Sequence, residues 1–257
     1  MCLLVLAWHA HPRFKLIVAA NRDEYHDRPT APLAKWPEPS AIVGGRDLRA
    51  GGAWLAVDTR SRFGVITNFR EMQRPSPDAP SRGSLIPSYL SHEADAAPYL
   101  TALEPNAKRF SGFNLLLADQ QELWYATNRG EGFIRRLQPG VHGLSNQFLD
   151  TPWPKLLRVR RQFATWLSEA TQPGTSELFA MLGDRTQVTS DEDLPQTGLS
   201  IEQERMLSSP FVVDEGYGTR CSTVVMMETS GATLIAERRF DSNGNTTGET
   251  ELLLNAE

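Results

Sequence analysis

Two short apolar runs open the chain, "CLLVLAW" (residues 2–8) and "KLIVAAN" (15–21), joined by the polar "HAHPRF". Runs of this length without helical spacing predict strands, here a β-hairpin buried on both faces. "AIVGG", "AWLAVDT" and "RFGVITNF" predict three more strands, the last two parted by the turn Arg60-Ser61-Arg62. Residues 70–83 are rich in Pro, Ser and Arg and predict a long loop, of a length that is often functional or mobile in compact domains.

Helical spacing then takes over in "SLIPSYLSHEA" and "AAPYLTAL". "FNLLLAD", "ELWYATN" and "GFIRRL" predict a second set of strands, followed by the Gly-rich "PGVHGLSNQ". From Pro154 to Ala170 the apolar positions Leu156, Val159, Phe163, Trp166, Leu167 and Ala170 share one helical face. "SELFAMLGD" predicts a shorter helix, and the polar, acidic residues 186–205 an excursion or lid. Strands return in "CSTVVMME", "ATLIAERRF" and "TGETELLLN". Strands, helices, strands, helices, strands, without a compositional break or a repeat, predict one α+β domain over residues 1–257. Two central antiparallel sheets with helices outside fit that order.

Composition narrows the class. A chain of 257 residues, 40% hydrophobic, can bury one large core. A net charge of -5 gives no global drive toward nucleic acid or a membrane surface. No apolar run approaches the roughly 18 residues of a membrane span, and the apolar start lacks the basic flank and cleavage site of a signal peptide. Two cysteines, Cys2 and Cys221, make no disulfide framework, and no Cys/His cluster has metal spacing. A soluble, cytoplasmic protein without a metal is the expectation.

Cys2 has a chemical possibility tied to its place. Methionine aminopeptidase removes Met1 when the second residue is small, which leaves a thiol and an α-amine on one residue. With a pKa near 8, that amine can exchange a proton with the thiol without a histidine. The thiolate needs a cation, and Arg22 in "NRDE" is the nearest candidate if the two opening strands pair. A carboxylate there, Asp23, could hold the amine. The competing reading makes Cys2 a small apolar residue at a strand start and the Asn21-Arg22-Asp23-Glu24 block a turn with a surface ion pair. Two asparagines interrupt other apolar runs, Asn68 in "GVITNF" and Asn146 in "GLSN". Asparagine is disfavoured in strands, so each is either a turn former or an amide that stabilises an oxyanion. Arg220 in "GYGTR" precedes the last sheet and is either a second cation at the same place or a cap on a carbonyl.

Taken in order, "MC", "AANRDE", "GGAWLAV", "TNF", "GFN", "NRG", "GLSN", "TPWPK" and "GYGTR" resemble the NRDE family, which includes Transport and Golgi organisation protein 2. The resemblance spans essentially the whole chain. It implies the four-layer αββα sandwich of N-terminal nucleophile hydrolases, closest to the cysteine group of penicillin V acylase and bile salt hydrolase. Carried over, it implies Cys2 as nucleophile, Arg22 as its cationic partner and Asp23 as orienter of the α-amine. Asn68 and Asn146 would hold the oxyanion, and Arg220 would support the nucleophile or bind an anion. Arg22 and Asp23 are adjacent here, whereas two residues separate the pair in the acylases, which leaves Glu24 as the alternative carboxylate. Asn21 and Glu24 of the polar block are expected to line the ligand site, and His26, which follows the block, either lines the same pocket or faces solvent. The family is linked to haem trafficking and to lipid or acyl-CoA metabolism. The implied functions are therefore hydrolysis of a small amide or acyl thioester, or non-catalytic carriage of haem or an acyl-CoA-type ligand. No cofactor is expected beyond haem as a carried ligand.

Other groups read more plainly. His9 and His11 sit at a turn, His92 and His142 have no partner in the pattern, and Cys221 fits as a small strand residue. The basic residues Lys155, Arg158, Arg160 and Arg161 fit a solvated helix face. "GGRDLRAGG" lacks the lysine and helix of a phosphate loop, and its glycines suit a tight loop beside a pocket.

Overall fold

A computed structural model describes residues 3–38, 40–72, 76, 78–170 and 173–255. The opening hairpin forms from β1 (Leu3–Trp8) and β2 (Phe14–Tyr25), with Leu3 opposite Asn21 and Trp8 opposite Leu16. Side chains alternate faces along a strand, and both faces here are covered. Leu4, Leu6, Leu16, Val18 and Ala20 face one apolar layer, while Leu3, Val5, Ile17 and Ala19 face another.

The chain then leaves this sheet and builds a second one in an unbroken meander. Its strands are β3 (Thr30–Lys35), β4 (Ile42–Asp47), β5 (Leu55–Asp58), β6 (Phe63–Asn68), β7 (Phe113–Ala118), β8 (Leu123–Thr127) and β9 (Ile134–Arg136). All neighbouring pairs are antiparallel. β10 (Gly140–Leu144) returns to the first sheet, and β11 (Tyr217–Glu228), β12 (Thr233–Phe240) and β13 (Thr246–Leu254) complete it in the order β10-β1-β2-β11-β12-β13.

Three apolar layers hold four structural layers together. One lies between the sheets, around Leu6, Val18, Trp54, Phe63 and Val225. The second packs the six-stranded sheet against α3 (Pro154–Glu169) and α4 (Thr175–Leu182) through Val5, Ile17, Leu156, Phe163 and Leu178. The third packs the seven-stranded sheet against α1 (Leu85–Leu90) and α2 (Ala96–Leu103) through Ile86, Tyr89, Leu100 and Leu115. This is the expected αββα sandwich. Among the described residues no helix is long and apolar enough to cross a membrane.

Three elements depart from expectation. β2 does not stop before the polar block but carries Asn21, Arg22, Asp23 and Glu24 as strand residues. β3 is an additional edge strand, bearing Pro32 where the sheet has no further neighbour. The Gly-rich segment supplies the edge strand β10. The excursion at 186–205 contains a 3-10 turn and α5 (Ile201–Met206), opened by a capping box between Ser200 and Gln203.

Candidate functional site

The polar block stays in the sheet because most of its buried groups find partners. Alternation sends Asn21 and Asp23 toward the helical layer and Arg22 toward the space between the sheets. Asn21 Nδ2 donates to Leu182 O at 2.8 Å and Pro210 O at 2.9 Å, while its Oδ1 accepts from Ser222 at 2.6 Å. Fully buried and so engaged, Asn21 ties β2 to the end of α4 and to β11. Contrary to the expectation for this residue, it is not on the wall of the cleft described below.

Arg22 is 3% exposed, and its guanidinium lies 4.4 Å over the Trp54 ring. A side chain on Gly45 would place Cβ 2.2 Å from that ring, so the glycine of "GGRDLRAGG" provides the flat shelf on which Trp54 sits. Arg22 Nη1 donates to Thr30 Oγ1 at 3.1 Å, and its Nη2 is 3.8 Å from Glu24 and 3.7 Å from Asp47. Burial would raise the Asp47 carboxyl. Hydrogen bonds from Arg28 and the Ala50 N–H, with the Arg28 and Arg22 charges, outweigh burial and hold it below the carboxylate range.

Asp23 is 2% exposed; its Oδ1 accepts from Thr219 Oγ1 at 2.6 Å, and its Oδ2 has no hydrogen-bond partner among the described residues. A buried carboxylate oxygen without a donor is costly. It lies two positions beyond Asn21, the residue that faces the first residue of β1. Cys2, the nucleophile that the family resemblance implies, lies outside the described residues.

Beside this strand end opens a cleft of about 670 Å³. Its wall includes Glu24 and Tyr25 from β2, Asn68 from β6, Asn146 just after β10, and Tyr217 from β11. The two sheets are joined here. Asn146 Nδ2 donates to Asn68 O at 3.1 Å, the Arg70 N–H to Asn146 O at 2.6 Å, and Thr67 Oγ1 to Ser145 O at 3.1 Å. Asn68 is exposed, and its side-chain amide makes no hydrogen bond with a described residue. The two asparagines picked from separate strands thus meet on one wall, together with Glu24.

His26 and Arg220 fall elsewhere. His26 is half-buried, with its Nε2 against Asp214 O at 3.1 Å, and is not on the cleft wall. Arg220 is the extra residue of a bulge, because Thr219 faces Asp23 and Cys221 faces Arg22. Its Nη1 donates to Tyr25 O at 2.8 Å and Arg28 O at 3.1 Å, so it caps the turn after β2 instead of facing the cleft. Burial and the neighbouring Arg22 charge lower its pKa.

Several wall residues had no individual signal in the sequence. The 70–83 loop contributes Arg70, Glu71 and Arg82, and the excursion contributes Leu199, Gln203, Met206 and Leu207 as a roof. Arg70 holds the roof down through Glu204, at 2.8 Å, with its guanidinium 4.8 Å over Trp153. Only the loop's length and the acidic excursion hinted at these roles. Among the described residues no group of His, Cys, Asp and Glu could hold a metal ion.

Two antiparallel sheets between helical layers, with a polar strand end at a cleft, define the fold of the N-terminal nucleophile hydrolases. Crystal structures of two variants of conjugated bile acid hydrolase from Clostridium perfringens share it. One has a TM-score of 0.54 at 8% identity, covering 98% of this chain and 92% of that one. The other has a TM-score of 0.52 at 9% identity, covering 100% and 93%. The chain belongs to the Transport and Golgi organisation 2 family, whose profile it matches over residues 1–242. The mouse Transport and Golgi organization 2 homolog is 31% identical over 268 residues, 97% of each chain. The human homolog is 31% identical over 259 residues, covering 93% of this chain and 92% of its own.

Proposed function

We propose that the protein is an N-terminal cysteine hydrolase that cleaves a small amide or acyl thioester. The observation that carries this reading is the unpartnered Asp23 Oδ2, buried at the strand end opposite the start of β1. A Cα–Cα step is about 3.8 Å, so a cysteine bonded to Leu3 is within one step of a residue paired with Asn21. Arg22, turned toward the space between the sheets, and Asp23, turned toward the helices, are the next two positions of β2 beyond the partner of Leu3, which is where this reading needs a cation for the thiolate and a carboxylate for the amine. Asp23 suits the amine better than Glu24, whose Oε1 already accepts from the Tyr25 N–H at 3.0 Å and whose Oε2 faces Arg22 and Arg28.

In this mechanism Met1 is absent and the α-amine takes the thiol proton. The thiolate, beside the Arg22 cation, attacks the substrate carbonyl. The unengaged Asn68 amide and Asn146 donate to the oxyanion. The amine returns the proton to the leaving amine or thiol, and water then hydrolyses the acyl-cysteine bond. Intact mass of the chain from its native host, thiol labelling, and turnover of N-acyl anilides and acyl thioesters test the reading together. A chain lacking Met1, a reactive Cys2 and turnover lost in Cys2→Ala are expected. Retained Met1 would end it.

A second reading is favoured by the residue types on the wall. Tyr25, Tyr217 and Met206 are of kinds that ligate haem iron, so the cleft would suit a carrier of haem or of an acyl-CoA-type ligand. It predicts ligand recovered unaltered. A haem titration without a saturable spectral shift would count against the haem version.

A further inference from the structure

We infer that the cleft recognises a ligand carrying an oxyanion, a carboxylate or a phosphate ester, and that Arg82 binds that group. The inference rests on reading the cleft as the ligand site and is independent of turnover there.

Arg82 opens the 3-10 turn Arg82–Ser84 and lines the cleft. Its Nη1 donates to Gly112 O at 2.8 Å, and it forms no ion pair with a described residue. The other charged side chains of the wall are committed. Arg70 holds Glu204 at 2.8 Å, and Glu71 accepts from Arg129 at 2.7 and 2.9 Å and from the Gly112 N–H at 3.0 Å. Glu24 faces Arg22 and Arg28, and Asp214 accepts from the Gly216 N–H at 3.2 Å. Burial lowers the Arg82 pKa, an effect that Glu24 and Glu71 oppose without forming an ion pair. Its charge is therefore poorly solvated and, among the described residues, has no carboxylate in direct contact.

The backbone on both sides of this guanidinium is packed to contact. The Ala53 N–H donates to Gly83 O at 3.0 Å, and a Cβ on Gly52 would lie 2.3 Å from that carbonyl. A Cβ on Gly112, the residue Arg82 donates to, would lie 2.8 Å from Glu71 Oε1 and 2.9 Å from Phe69 Cβ. Neither support can shift easily, so the cation is held in place before a ligand arrives. A guanidinium has five donors in a planar fork, and most are unspent here, the arrangement that takes a carboxylate or phosphate in bidentate fashion. Phe69, Leu199, Met206 and Leu207 offer the apolar remainder of the wall. The ligand class is thus an amphiphile with an anionic end. Arg220, the anion binder that the resemblance implied, is spent on backbone carbonyls, and Arg22 is stacked on Trp54.

Calorimetric titration of the full-length Cys2→Ala protein, which cannot turn substrate over by the proposed route, tests this. The probes are N-octanoylglycine, octyl phosphate and the neutral N-octanoylglycinamide. At least one charged probe should bind about tenfold to a hundredfold tighter than the neutral one, and the tighter of the two identifies the oxyanion. Arg82→Gln should erase the preference, while Arg82→Lys should keep a weaker, salt-sensitive part of it. Equal affinities, a preference that survives Arg82→Gln, or no saturable binding of any probe would overturn the inference. Should Arg82→Gln fail to fold, the charged-to-neutral ratio and the Arg82→Lys result still decide. Arg82-dependent binding without turnover in the native chain would sink the hydrolase alone, and equal kcat/KM for charged and neutral amides would sink this inference alone.

Discussion

The most discriminating perturbation is Asp23→Asn, measured in two backgrounds. Asp23 is 2% exposed, with one carboxylate oxygen bonded to Thr219 at 2.6 Å and the other without a partner among the described residues. If the α-amine of a processed chain fills that vacancy, the substitution removes a charge-assisted hydrogen bond worth about 1.5–3 kcal/mol. That loss should lower Tm by about 2–4 °C per kcal/mol for a chain of this size. In a Cys2→Leu background the bulky second residue keeps Met1 in place, and the amine is displaced from Asp23. There the same change relieves a half-satisfied buried carboxylate and keeps the Thr219 bond through the amide oxygen. It should be neutral or stabilising by up to about 1 kcal/mol. Urea unfolding of the four proteins, with intact mass confirming the state of Met1, closes the cycle. A coupling above about 1 kcal/mol is expected. A coupling indistinguishable from zero would refute the placement of the amine at Asp23.

Other outcomes follow from neighbouring features. Gly45→Ala should push Trp54 off its shelf, cost about 1–3 kcal/mol in urea unfolding, and slow alkylation of Cys2 by disturbing Arg22. Cys221 is buried with its thiol pKa pushed well up by burial and by the Glu237 charge, so native protein should take up iodoacetamide at no more than one cysteine, and unfolded protein at two. The Asp150 hydrogen bond raises the His142 pKa against burial. That stabilisation is fully present below about pH 6.5 and is lost as pH climbs through the raised folded value. Burial would raise Asp150, but bonds from His142 and the Gly143 N–H and the Arg160 charge hold it low, so its share fades only in acid. His142→Gln should flatten the alkaline side of the urea-midpoint profile.

Apolar periodicity carried the layers and most strands, because strands covered on both faces read as continuous apolar runs. It stopped β2 at Asn21, because nothing in "NRDE" announces that Leu182, Pro210, Thr219 and Ser222 wait to bond those side chains. β3 and β10 are edge strands with Pro32 and glycines, whose local preferences argue against the sheet they join. In the site, Asn68 and Asn146 were legible as polar breaks in apolar strands, and Glu24 as part of a dense block. Of the two readings open for Arg220, its hydrogen bonds give the carbonyl cap, because a one-residue bulge, invisible in composition, re-aims it. Arg70 and Arg82 were hidden among other loop arginines, since only the fold decides which arginine finds a carboxylate.

The order in which the sheets use the chain bears on when the polar strand end is completed during synthesis. The seven-stranded sheet is one continuous stretch, from Thr30 to Arg136, and can zip up strand by strand. The six-stranded sheet cannot, because β2 has to wait for β11, and Asn21 for Ser222, some two hundred positions along. Contacts between such distant segments form slowly. On the ribosome, the strand that presents Arg22 and Asp23 therefore stays without a neighbour on one side until nearly the whole polypeptide has emerged. A truncated chain would leave Arg22 and Asp23 without the partners Cys221 and Thr219 across the sheet, and that wall of the fold would close only with the last three strands.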